Sequence, residues 1–419
     1  MQGLHIWIFL IENLFEKMTN KIALVTCYFQ PNYGSQLQAF ATQEVFDKLG
    51  LPNETIKFEG IKEEINKAKY RYFLSRILDA NTVRDKMATV RKVIAARRNP
   101  EYARNLAVRR AMFENFAATQ FHLSKQYNSK AEITQSAHEY VAFVVGSDQL
   151  WLPSNIYADY YTLNFVPDDI KKIALATSFG ISELPEKYGL LARKFLQRID
   201  FVSVRETSGQ KLVKQWADRE VPVVCDPTIL FTAEEWKNAL DAEESGVRFA
   251  NGEKYIFVYF LGNNPWEREL VNQVRKVTGL KIVQIAHSDE YVKSDEGFAD
   301  YTPYNVGPKE FVELIRDAEC VFTDSFHCSV FSMLNHKRFY TFPRYSQDGS
   351  VSTNGRLYSL LSLVHQESRL VRKQDVTSWT VKELIAKQPD YSTIDKEIGQ
   401  LRDFTWNWLK EALKDSGIL

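Results

Sequence analysis

This sequence has little that would tie it to a metal, a membrane span or a nucleic acid. Four cysteines (Cys27, Cys225, Cys320 and Cys328) are scattered over 419 residues, and no two form a C-x-x-C pair. That spacing matches neither a zinc site nor a disulfide scaffold, so metal-independent chemistry in a reducing compartment is expected. Cys328 directly follows His327, which invites a nucleophile reading, but an ordinary small buried cysteine is the better explanation. Charge of one sign is missing too: 53 Lys and Arg balance 53 Asp and Glu, which argues against a dedicated nucleic-acid binder. No long hydrophobic run occurs. The apolar stretch His5–Ile11 is too short to span a bilayer. It also lacks the basic segment and small-residue cleavage site of a signal peptide. Met18 stands just before a strand-like run, so residues 1–17 are expected to be a dispensable extension. Internal repeats and low-complexity tracts are absent.

What is present is an ordinary soluble composition, 45% hydrophobic and 25% charged, in a chain too long for one ordinary core. Apolar runs alternate with helical patterns, and that rhythm implies parallel sheets. Strands are expected at Lys21–Cys27, Val141–Val145, Lys172–Ala176, Phe201–Val204 and Val221–Cys225. A second set is expected at Tyr255–Leu261, Lys281–Ala286, Cys320–Thr323 and Arg338–Phe342. The polar stretch Asp241–Lys254 between the sets reads as a linker. The expected organisation is therefore α/β, with a domain over 18–242 and a second over 255–392. A terminal segment, 393–419, is expected to pack back across both as a helix. Residues 61–130 differ from the rest: 16 Lys or Arg stand against 6 Asp or Glu in a helical pattern. This insertion is either a solvated helical surface or a peripheral contact for anionic lipid headgroups.

Four strand exits carry polar residues suited to chemistry. Asn32-Tyr-Gly-Ser-Gln-Leu-Gln38 opens a helix expected to end at Gly50, and Gly34 would let the backbone approach a ligand. Gly146-Ser-Asp-Gln-Leu-Trp151 ends the purest apolar run. Ser147, Asp148 and Gln149 could bond hydroxyls and Trp151 could stack on a sugar, although a capped turn with a packing Trp reads the same way. Arg205 follows a strand, and its planar fork suits a carboxylate or phosphate, or a pairing with Glu206. Thr323-Asp-Ser-Phe-His327 places Asp324, Ser325 and His327 between a strand and a helix, where open α/β sheets bind anions. Asp226-Pro227 reads as a structural cap and stop. The polar loop from Arg344 to Arg356 adds two more arginines.

These elements, in this order, resemble the polysaccharide pyruvyl transferase family. The family carries Asn-x-Gly-x-x-Leu-Gln, Gly-Ser-Asp-Gln-x-Trp, Ser-x-Arg-(Asp or Glu), Asp-Pro-Thr and Thr-Asp-(Arg or Ser)-Phe-His in sequence. The resemblance runs from Met18 through most of the chain. It implies two Rossmann-like domains facing a cleft, as in GT-B glycosyltransferases. It implies transfer of an enolpyruvyl-derived group from phosphoenolpyruvate to a sugar as a cyclic ketal, with no cofactor. By this resemblance His327 and Arg205 are catalytic. Arg205, Asp324, Ser325, Arg344 and Arg356 would hold the donor. Asn32, Gly34, Ser35, Gln36, Gln38, Ser147, Asp148, Gln149 and Trp151 would line the acceptor side. The acceptor would be a saccharide of a cell-surface polysaccharide precursor, lipid-linked or free. The enzyme would be cytoplasmic, with peripheral contact at the inner membrane face through residues 61–130. One position departs from the common pattern: Ser325 stands where many members have Arg, which moves its duty to Arg344 or Arg356. A nucleotide-sugar glycosyltransferase of GT-B type and a non-catalytic sugar-binding relative are the alternative readings. The acceptor sugar and the oligomeric state stay open.

Overall fold

The computed structural model describes residues 21–75, 93–94, 97–240, 252–288, 291–344, 354–377 and 381–419. Residues 1–17, expected to be a dispensable extension, most of the linker, basic residues 76–92 and the middle of the 344–356 loop lie outside the described residues.

The chain forms two parallel sheets. The first orders its strands β3-β2-β1-β4-β5-β6, from β1 (Lys21–Val25), β2 (Asn53–Lys57), β3 (Leu123–Gln126), β4 (Tyr140–Asp148), β5 (Lys171–Thr177) and β6 (Phe201–Val204). The second orders them β10-β9-β7-β8, from β7 (Tyr255–Tyr259), β8 (Lys281–Gln284), β9 (Cys320–Thr323) and β10 (Arg338–Thr341). Parallel strands with helices on both faces bury both sides, which is why β1, β4 and β7 are nearly continuous apolar runs. Strand order reverses beside β1 and β4 in one sheet, and beside β7 and β9 in the other. The carboxyl ends of those strands are the expected ligand crevices.

Val221–Cys225, expected to be a strand, makes a single bridge, Val204 to Val223. The reason is Pro222, which has no N–H to give a ladder. Two strands escape the apolar pattern: β2 is Asn-Glu-Thr-Ile-Lys, and β3 is a short edge strand, Leu-Ser-Lys-Gln.

The halves are joined by buried contacts. The helix Tyr33–Lys48, capped by the Asn32 side chain, is buried along most of its length. Tyr33 stacks on Phe311 at 4.4 Å and donates its hydroxyl to Val306 O at 3.0 Å. Arg109, from helix Pro100–Gln120, reaches into the second half and donates to the carbonyls of Ala286 and Pro303. It is 2% exposed, so this member of the basic insertion clamps the two halves and faces no membrane. The helix Tyr391–Asp415 crosses back: Thr405 Oγ1 accepts from Cys225 N at 3.0 Å, and Arg402 donates to Ile229 O at 2.8 Å.

Candidate active site

The two crevices face each other, and their loops interlock. Asp148 ends β4 with a positive φ of 73°, a conformation that short polar Asp tolerates better than most side chains. Its carboxylate accepts from Ser35 Oγ at 2.8 Å and from Arg205 Nη2 at 3.0 Å. Arg205 leaves β6 and donates its other prong to Asp226 Oδ2. The same oxygen accepts from Ser147 Oγ at 3.2 Å and lies 3.5 Å from His327 Nε2. His327 comes from the other half, on helix Phe326–Leu334, whose cap is Ser325. Arg356, at the start of helix Gly355–Leu363, lies 3.9 Å from Asp148 Oδ1. The amide oxygen of Gln149, turned towards it, accepts from Nη2 at 3.1 Å and Nε at 3.3 Å. Arg205 and Arg356 both approach the Phe326 ring, at 5.0 and 6.0 Å.

The electrostatics follow from this packing. Burial pushes the Asp226 carboxyl up, but His327 and Arg205 outweigh it and hold the group well below the usual range. Asp148 behaves likewise: burial raises it, and Arg205, His327 and Arg356 bring it well below normal. Both are therefore carboxylates at neutral pH. Burial, then the neighbouring Arg205, pulls Arg356 down to about 10. Its nearest carboxylate, Asp148 at 3.9 Å, is already held by Arg205 and Ser35, so the cleft presents a cation whose charge is only partly met.

Several expected roles change. Arg205 is not a free donor clamp, because its two prongs are already held by Asp226 and Asp148. Asp324 is not a donor ligand either. Its carboxylate accepts from Leu261 N at 2.7 Å and Gly262 N at 2.6 Å, which braces the loop after β7 and leaves both oxygens engaged. Ser325 Oγ accepts from Cys328 N at 3.4 Å and is engaged as the cap. Trp151 is fully buried between Phe179 and Phe195, with its indole N–H donating to Tyr161 O, so no face remains for a sugar. Gln38 and Gln36 are internal: Gln38 accepts from Ser147 N at 2.8 Å, and Gln36 donates to Phe113 O at 3.1 Å. Gly34 gives room to His327, not to a ligand, since a Cβ there would lie 2.0 Å from His327 Nδ1. Cys328 is fully buried, and burial pushes its thiol up to about 12, far from a reactive thiolate. The residues brought together around the cleft are Asn32, Gly34, Ser35, Ser147, Asp148, Gln149, Arg205, His327 and Arg356. Arg344 stands beside Asp324 at 3.6 Å.

Sequence reasoning missed Asp226, which it took for a cap. It does cap, accepting from Thr228 N at 3.0 Å, but its second oxygen joins the two halves. Glu206, whose carboxyl is raised by burial, and Phe326 were missed as well. A signal was available for Asp226: like Asp148 and Asp324, it is an acid within three residues of the end of an apolar run.

A sequence profile described as polysaccharide pyruvyl transferase matches residues 32–345. Among curated proteins none matches. A solved UDP-N-acetylglucosamine 2-epimerase has a similar fold, with a TM-score of 0.51 at 10% identity, covering 96% of this chain and 96% of that one. S. aureus MnaA, solved with UDP, aligns with a TM-score of 0.50 at 13% identity, covering 94% of this chain and 97% of that one. At these identities the likeness speaks for the fold: two Rossmann-like halves facing a cleft, as in GT-B proteins.

Proposed function

The chain belongs to the polysaccharide pyruvyl transferase family, and we propose from that premise that it moves the enolpyruvyl group of phosphoenolpyruvate onto a sugar as a cyclic ketal. The observation that carries this reading is Arg356: a largely buried guanidinium in the cleft, over the Phe326 ring, whose amide partner is Gln149 and whose nearest carboxylate, Asp148 at 3.9 Å, is shared with Arg205. A donor with a carboxylate and a phosphate is the kind of ligand that such a cation favours. Arg356 thus takes the duty that Arg carries at position 325 in many members, with Arg344 as a second cation at the rim.

The chemistry balances within the substrates. Two sugar hydroxyls add to the ketal carbon. One of their protons ends on the methylene carbon, making it a methyl group, and the other leaves with phosphate. His327 moves the proton, and Ser35 and Gln149 stand on the acceptor side. Among the described residues no helix is long and apolar enough to cross a membrane. We place the reaction in the cytoplasm, where a lipid-linked precursor would be met at the inner membrane face.

The test is phosphate release from phosphoenolpyruvate across a panel of lipid-linked and model glycosides. Wild type should release phosphate with some acceptor. The His327→Ala variant should fold and lose about 10²–10⁴ in rate. Phosphoenolpyruvate that neither binds nor turns over, with binding or hydrolysis of a nucleotide sugar instead, would overturn the reading. Full activity in a folded His327→Ala variant would remove His327 from the mechanism.

A further inference from the structure

His327 has two ring nitrogens, and the structure treats them differently. Nε2 is buried, makes no hydrogen bond, and lies 3.5 Å from Asp226 Oδ2. Nδ1 faces Gly34, where any side chain would come within 2.0 Å. Asp226 belongs to the first half of the molecule, and His327 follows β9 in the second. Their pairing therefore exists only where the halves meet.

We propose that Asp226 is a positioning residue that keeps the proton of His327 on Nε2, so that Nδ1, over Gly34, is the atom that exchanges a proton with substrate. A carboxylate can only accept, so the ring nitrogen facing Asp226 must be the donor. The partner of one imidazole nitrogen decides the protonation of the other. Arg205 and Ser147 grip the same Asp226 oxygen and hold it in place. Gly34 completes the arrangement, because a side chain there would push the ring out of this pose. This rests on the phosphoenolpyruvate reading. As the hydroxyl oxygen bonds to the ketal carbon, the carbon–carbon double bond opens with its electron pair going to the methylene carbon, and the hydroxyl O–H bond breaks, its proton passing to Nδ1. The charged ring then has its Nε2–H facing the Asp226 carboxylate. The ring returns a proton to the methylene carbon of the substrate, so no other reagent is needed.

The experiment is nitrogen NMR on the full chain with ¹⁵N-labelled histidine, recorded at about pH 9, where an ordinary imidazole is neutral. His327→Gln identifies the signals by their loss. The expected result is a ring protonated at Nε2, and a ring protonated at Nδ1 overturns the proposal. The companion variant is Gly34→Ala, measured by phosphate release and thermal melting together. It should lower kcat by about 100-fold or more while leaving KM for phosphoenolpyruvate within about threefold. A folded Gly34→Ala protein with wild-type kcat also overturns the proposal. If Gly34→Ala does not fold, the wild-type spectrum still decides. Absence of phosphate release with every acceptor, alongside an Nε2–H ring, would count against the phosphoenolpyruvate reading and leave the Asp226–His327 pairing standing.

Discussion

Replacing Glu267 with glutamine should make the folded protein less sensitive to pH, and more stable than wild type above neutrality. Glu267 sits in the first turn of helix Pro265–Thr278 and is fully buried. One carboxyl oxygen accepts from Asn264 Nδ2 at 2.8 Å, and the other has no partner. Burial, then the neighbouring Asp324 carboxylate, raises it from 4.5 to about 8. The helix N-terminus favours a negative charge there by about 0.3–1 kcal/mol, too little to offset the burial. The sign follows from linkage. Between pH 4.5 and about 8 the folded protein keeps a proton that the unfolded chain has lost. Each pH unit in that window therefore lowers stability by about 1.4 kcal/mol, and the loss saturates near about 5 kcal/mol above the window. A glutamine side chain would have nothing to ionise. Urea unfolding of wild type and Glu267→Gln at closely spaced pH values measures the difference. Taking the difference removes groups common to both, such as Glu313, which burial raises to about 6. The two stability curves should diverge from about pH 5 upwards, with the variant above. Parallel curves would refute the argument and return Glu267 to an ordinary carboxyl.

Arg205→Lys should destabilise the protein by about 3–5 kcal/mol in urea unfolding, because one ammonium cannot hold both Asp148 and Asp226 and a buried carboxylate is left unpaired. A loss of donor affinity with unchanged stability would instead restore Arg205 as a donor clamp. Trp151→Ala should cost about 3–5 kcal/mol of stability and leave KM for the acceptor unchanged at temperatures where the variant is folded. A rise in acceptor KM without destabilisation would put Trp151 back against the sugar.

The sequence by itself determined the α/β rhythm and most of the strands. Buried parallel strands such as β4 and β9 must be apolar throughout, and that is readable residue by residue. Polar β2 and edge strand β3 carry no such signal, and Pro222 spoiled a run that looked right. Sequence also marked the strand exits where Ser35, Asp148, Arg205 and His327 stand, because short polar residues after an apolar run have few other reasons to be there. Only the tertiary structure decided what those residues do. Whether Arg205 is free or gripped depends on Asp148 and Asp226, neither near it in sequence. The purpose of Gly34 lies in an imidazole nearly 300 residues away, and the fate of Trp151 in the packing of Phe179 and Phe195. Periodicity and capping are local, set within a turn or two of the chain. The state of a buried charge is set by whichever groups the fold packs against it, wherever in the chain they come from.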